Sequence, residues 1–197
     1  MRDMQASNVF REVTPLSEED CFVIFKRTKT EFTYPVHIHP ECELNFIENA
    51  KGAQRVVGDS IEEIDDLELC LIANENLEHA WMNYKCQSKE IREITIQFQK
   101  ELLLESLLSK KQFHTIAVIL EKTKKGLVFS RPTIEKIKLS LYSLNATQDG
   151  FYSVVELLKI LHELSMDENS RILSSSYFVN KDDSSESRRV QKMINYM

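Results

Sequence analysis

The 197-residue chain has no apolar run near the ~20 residues that a bilayer crossing needs, which excludes a helical membrane protein. Its opening, MRDMQASNVFREV, lacks the apolar stretch of a secretory signal, so the expected address is the cytosol. Basic residues are not in excess. Against 25 Lys and Arg stand 31 Asp and Glu, giving a net charge of −6 and a pI near 5.5. That balance argues against a broad nucleic-acid or anionic-membrane surface. Cys21, Cys42, Cys70 and Cys86 are never closely paired, so zinc-ribbon and thiol-redox spacings are absent. A disulfide framework is not expected at this length, and the four read as buried, reduced thiols. No internal repeat is visible. What remains is an ordinary globular composition, 42% apolar. Folding at this size buries roughly 70% of the unfolded surface, enough for one core or one and a half.

Two textures divide the chain. Up to about residue 99 it reads as strands. Cys21 to Lys26 is apolar, β-branched and aromatic, and Glu41 to Asn49 alternates. Gln54 to Val57 and Ile61 to Ile64 are short and punctuated by Gly52 and Gly58. Leu67 to Ala73 alternates again. Glu93 to Phe98 sets Ile94, Ile96 and Phe98 on one face, Thr95 and Gln97 on the other. Many short strands with period two and frequent turns predict a barrel or sandwich.

After Lys100 the period becomes helical. Glu101 to Leu108 is the first expected helix and Phe113 to Lys125 the second, closed by lysines and then Gly126. Pro132 suits the first turn of a third, with Ile134, Ile137, Leu141 and Leu144 as its stripe. Ser153 with Glu156 fits a capping box opening a fourth helix through Leu164. No helix interior contains glycine. Residues 174–187, SSSYFVNKDDSSES, read as a linker. In ESRRVQKMINYM, residues 186–197, Val190, Met193, Ile194 and Met197 share one helical face. So short a helix is marginal in water without a surface to cover. It either docks on its own core or opens a further domain.

The chemistry lies in YPVHIHPECE, Tyr34 to Glu43. His37 and His39, two apart on a strand, point to the same face, and Glu43 keeps that parity if the strand recovers after Pro40. With His79, three imidazoles and one carboxylate could converge on a divalent transition metal such as Zn, Fe, Ni or Mn. Equally, the histidines could be polar pocket residues that bind no metal. Tyr34 and Trp81 are candidate ring platforms for a ligand. His114 and His162 fall on helical segments and read as ordinary surface or packing residues.

HIHPECE matches the first cupin motif, HxHxxxE, and His79 with Asn83 the end of the second, HxxxN. The departures are Ala50, Asn74 and Asn76, where that pattern has glycine, proline and glycine. A fuller match covers almost the whole chain. FTYPVHIHPECELNFIENAKGAQRVVGDSIEEI, LELCLIANENLEHAW, LEKTKKGLVFS and SESRRVQKMINY resemble sensor domains of AraC-type transcription regulators, especially a Bacteroidetes group.

That resemblance implies a mainly β plus α architecture: a cupin-like β-barrel (double-stranded β-helix) followed by an antiparallel helical segment. It implies a barrel sensor domain over 1–99, a helical dimerisation segment over 100–173, a linker over 174–187, and over 188–197 the start of a truncated helix-turn-helix DNA-binding domain. The implied function is ligand sensing and homodimerisation. A small-molecule effector, such as a sugar or metabolite, would bind near Tyr34, His37, His39, Glu43, His79 and Trp81. DNA would be read only through the missing C-terminal domain, and no catalysis is implied. Two alternatives stay open: a metal-dependent cupin enzyme, a dioxygenase or isomerase on His37, His39, Glu43 and His79, and a plain dimerisation module with a collapsed barrel.

Overall fold

A computed structural model describes residues 9–145 and 150–175. Its strands are β1 (Phe10–Arg11), β2 (Phe22–Lys29), β3 (His37–Ile38), β4 (Cys42–Glu48), β5 (Gln54–Val57) and β6 (Ser60–Glu63). They continue with β7 (Leu67–Ile72), β8 (His79–Met82), β9 (Ile91–Phe98), β10 (Leu127–Val128) and β11 (Arg171–Ile172). One sheet runs β1-β3-β8-β5-β6 and the other β11-β10-β7-β4-β9-β2. All pairings are antiparallel except β1 with β3. The domain is β-rich and barrel-like.

The central strands β4, β7 and β9 of the six-stranded sheet are buried on both faces, and on β4 and β9 the two faces differ in chemistry. Cys42, Leu44 and Phe46 of β4, Leu69 and Leu71 of β7, and Ile94, Ile96 and Phe98 of β9 join one apolar cluster with the helices. The alternate residues of β4 and β9, Glu43, Asn45, Thr95 and Gln97, are also buried. They point away from the helices because side chains alternate across a strand. The apolar stripes read from sequence therefore face the helical layer, and the polar stripes line the inside of the barrel.

The helices are α1 (Glu105–Leu108), α2 (His114–Thr123), α3 (Arg131–Ser143) and α4 (Phe151–Ser165). The first expected helix is a 3₁₀ turn, Lys100–Leu102, followed by the single turn α1. Ser153 does not cap α4. It lies inside that helix, and its hydroxyl donates to the Asn145 carbonyl, while Gly150 occupies the cap. In α3, Ile134, Ile137, Leu141 and the adjoining Leu144 are buried against the sheet. Lys138 and Tyr142 of the same helix both reach Glu48 of β4. Gly126 ends the α2 turn with φ +69°, and a Cβ there would sit 2.6 Å from Val57 Cγ1. No other residue fits that turn without strain.

Cys42 and Cys70 are buried, and burial pushes the Cys42 thiol up to about 12. Cys21 is exposed and Cys86 half-buried, which corrects the expectation of four buried thiols. After α4 the chain returns to the barrel. β11 pairs with β10, the Ser174 hydroxyl donates to Asp59 Oδ1 at 2.8 Å, and the Ser175 N–H donates to the same atom at 2.9 Å. The rest of the expected linker, 176–187, and the expected reading-head helix, 188–197, lie outside the described residues. Among the described residues, no helix is long and apolar enough to cross a membrane.

Candidate functional site

Strand register assembles the histidine cluster. His37 on β3 is the direct antiparallel partner of His79 on β8, and their ring centroids lie 4.2 Å apart. Pro40 follows β3 in a two-strand corner, and β4 resumes at Cys42. That corner carries His39 inward beside Glu43. His39 Nε2 is 3.1 Å from Glu43 Oε2 and 3.2 Å from His79 Nε2. His79 Nε2 is 3.8 Å from Glu43 Oε1. All four side chains are buried, and one ligand atom from each lies within 4.8 Å of the others.

The backbone sets the protonation pattern. His37 Nδ1 lies 2.9 Å from the Pro35 carbonyl, His39 Nδ1 3.1 Å from that of Glu41, and His79 Nδ1 2.8 Å from that of Leu77. A carbonyl only accepts, so each Nδ1 carries hydrogen and each Nε2 is left to face the cluster. Two neutral Nε2 atoms at 3.2 Å would repel through their lone pairs, so the arrangement favours a proton or a metal ion between them. Burial disfavours a charge on His39, but the hydrogen bond with Glu43 and the carboxylates of Glu12 and Glu41 outweigh it and raise the His39 pKa. His79 is pushed down to about 3 by burial and by neighbouring His37. Burial would raise Glu43, yet its hydrogen bond from His39 and the nearby imidazoles hold it down to about 2.

These residues fit a divalent transition metal. The donor set is three imidazole nitrogens and one carboxylate, and each imidazole is oriented by a second hydrogen bond on its far nitrogen, as metal-binding histidines usually are. Gln97, directly across from Glu43 in the β4–β9 register, donates to Glu43 Oε2 at 2.9 Å and so orients the carboxylate.

A cavity of about 720 Å³ opens between the two sheets beside this cluster, lined by His37, Glu43, Tyr34 and Trp81 among others. Tyr34 is 45% exposed at its rim, edge-on to His37 with centroids 4.7 Å apart. Burial and Glu12 raise its phenol to about 12. Trp81 is buried in the wall. Asn83 Oδ1 accepts the Phe32 N–H at 2.8 Å, so the asparagine of the second motif holds backbone. His114 and His162 are exposed on α2 and α4.

Sequence reasoning missed a polar chain that runs from behind Trp81, where Glu68 and Arg55 are buried, out to the surface at Glu62 and Arg171. The Trp81 indole N–H donates to Glu68 Oε1 at 2.9 Å. Arg55 donates to Glu68 Oε2 at 2.5 Å and to Glu62 Oε2 at 2.8 Å. Arg171 of β11 donates to Glu62 at 2.6 and 2.8 Å. The signal was present in LELCLI, where one charged residue interrupts an otherwise apolar strand, and in the lone charge of QRVV. Such a charge is buried only when paired.

No family model and no curated protein matches the chain. Solved structures give a weak fold likeness to ToxT of Vibrio cholerae. One form matches at 10% identity and TM-score 0.40, covering 87% of this chain and 64% of that one. ToxT bound to an unsaturated fatty acid matches at 11% and 0.45, covering 93% and 65%. An apo ToxT variant matches at 13% and 0.44, covering 73% and 53%. This chain thus spans less than two thirds of the length of those ToxT chains, and scores this low assign neither a family nor a ligand.

Proposed function

We propose that this chain is the ligand-sensing and dimerisation part of an AraC-type transcription regulator. In this reading the two sheets form a cupin-like double-stranded β-helix over 1–99, the helices over 100–173 carry a homodimer, and 174–187 link to a helix-turn-helix domain that begins at 188. A small-molecule effector in the cavity controls DNA binding by that domain, inside the cytoplasm. The carrying observation is the cavity of about 720 Å³, lined in part by buried polar side chains and bordered by His37 and Glu43 of the cluster. A pocket of this size suits a small organic ligand.

Signal transfer is a population shift, driven only by the effector's difference in affinity for two arrangements. The chain from Trp81 through Glu68, Arg55 and Glu62 to Arg171 supports a route from the cavity wall to the strand leading into the linker. A metal held by His37, His39, Glu43 and His79 would neutralise Glu43 and pin β3, β4 and β8 together. The inward stripes of α3 and α4 are used within this chain, so the homodimer falls to exposed Leu139, Phe151 and Tyr152.

The test is a small-molecule screen on the 197-residue chain by thermal shift and by the emission of Trp81, its single tryptophan. A ligand at a hundred times its dissociation constant stabilises by ~2.7 kcal/mol. Saturable binding that His37→Ala or Tyr34→Ala weakens supports sensing. Turnover of a ligand by the metal-loaded protein would instead establish the second reading, a metal-dependent cupin enzyme, which the four-residue cluster beside the cavity favours.

A further inference from the structure

Two buried acceptors in the cavity wall have no donor among the described residues. Glu12, Glu31, Glu43 and Glu93 line the cavity against two cations, Arg27 and Lys29. Lys29 is committed to Glu93, while Arg27 is half-exposed and reaches Thr95 Oγ1 only at 3.5 Å. Lys29 Nζ lies 2.8 Å from Glu93 Oε2, and Arg27 Nη1 lies 3.6 Å from the same oxygen. Each also stacks on a ring, Arg27 on Phe25 and Lys29 on Phe32, at 4.6 and 4.5 Å.

The inner wall adds two amides. Gln97 is 2% exposed and donates both to Glu12 Oε2 at 3.0 Å and to Glu43 Oε2 at 2.9 Å. Those carboxylates fix its orientation, because a flipped amide would set oxygen against oxygen. Its carbonyl Oε1 is therefore an acceptor, buried and without a partner among the described residues. Asn45, 4% exposed and two residues from Glu43 on the same face, has its Oδ1 in the same condition. Native proteins rarely bury such atoms unserved, and an exception calls for an explanation.

We infer that the effector is a hydrogen-bond donor without an anionic group, a molecule that presents hydroxyl or ammonium hydrogens to Asn45 and Gln97 and lays an apolar face on Trp81 and Tyr34. Free carboxylates and phosphates are rejected. They would meet four carboxylates and two unpaired carbonyls against only two cations, one of them already paired with Glu93. A divalent ion on Glu43 cancels charge at the floor but adds no donor beside Asn45. The inference rests on reading the cavity as an effector site and gives that site its ligand chemistry.

Three probes test it on chelator-treated protein, with Trp81 emission as readout: inositol as a neutral polyol, 1,4-diaminobutane as an amine, and decanoate as a carboxylate. The expected result is a saturable change with inositol or diaminobutane and none with decanoate. Which of the two binds separates a hydroxyl from an ammonium ligand. Asn45→Leu should weaken that binding about tenfold or more, the effect of one lost buried hydrogen bond. It should also leave the free protein at least as stable, since an unserved oxygen is removed. Saturable decanoate binding overturns the donor assignment while leaving the sensor reading intact, as does inositol or amine binding untouched by Asn45→Leu. No saturable change with any probe overturns the donor assignment as well. If the broad screen is also blank, the sensor reading itself fails.

Discussion

The indole N–H of Trp81 and the carboxylate of Glu68 meet at 2.9 Å, joining the cavity wall to a buried ion pair. Glu68 Oε2 in turn accepts from Arg55 at 2.5 Å, and Arg55 is 1% exposed. Burial raises the Glu68 pKa, with Arg55 and Trp81 working against that rise. Arg55→Ala should therefore strand a buried carboxylate and destabilise the protein by about 3–5 kcal/mol. Arg55→Met with Glu68→Leu removes both charges and should recover most of that loss. Urea unfolding followed by Trp81 emission measures both. Equal destabilisation by the single and double variants would show that the pair is not coupled.

The histidine cluster predicts metal uptake. Protein treated with chelator and then given Zn²⁺ or Ni²⁺ should bind one equivalent and melt at a higher temperature. Ni²⁺ should also quench Trp81, whose ring centroid lies 6.3 Å from that of His79. His39→Ala and His79→Ala should each abolish the effect, and His162→Ala, on the exposed face of α4, should not. Elemental analysis beside thermal shift checks this, and uptake that survives His79→Ala would place the ion elsewhere.

Acid should release the returning strand β11 first. Glu62 is held down to about 2, chiefly by the hydrogen bond from Arg171 and, against partial burial, by Arg55. A carboxylate depressed in the folded state stabilises fully above its ordinary value of 4.5 and loses that contribution as pH falls toward about 2. Asp59, lowered despite burial by Ser174 and Ser175, acts with the same sign. The Leu173 amide, which donates to the Gly126 carbonyl, should thus lose protection relative to its intrinsic exchange rate between about pH 4.5 and 2, before the central β4 amides do. Glu62→Gln should raise exchange at Leu173 near neutral pH and flatten the acid dependence. An unchanged acid limb in that variant would assign the latch to other groups.

Much of the framework is legible in the residues themselves. The switch from period two to period 3.6 near Lys100 marks where sheets give way to helices, and β5 falls on the four residues, Gln54 to Val57, that turn signals bracket. The HIHPECE spacing brings out His37, His39 and Glu43 as a group, although the corner at Pro40, not one continuous strand, sets Glu43 beside His39. Local signals also misled. Ser153 with Glu156 has capping-box spacing, but the helix starts earlier because Gly150 takes the turn and the Ser153 hydroxyl serves Asn145.

What the sequence alone determined is which residues share a face. Which face becomes the inside depends on what covers each side of the sheet, and only the tertiary structure decided that. The helical layer takes Leu44, Phe46, Ile94 and Ile96, so the polar partners Glu43, Asn45, Thr95 and Gln97 turn inward together. The register of β3 with β8 brings His79 onto His37 from 42 residues away, and the return of β11 brings Arg171 to Glu62 across 109. Such pairings arise from long-range burial and hydrogen bonding between segments, and periodicity within a segment carries no trace of them.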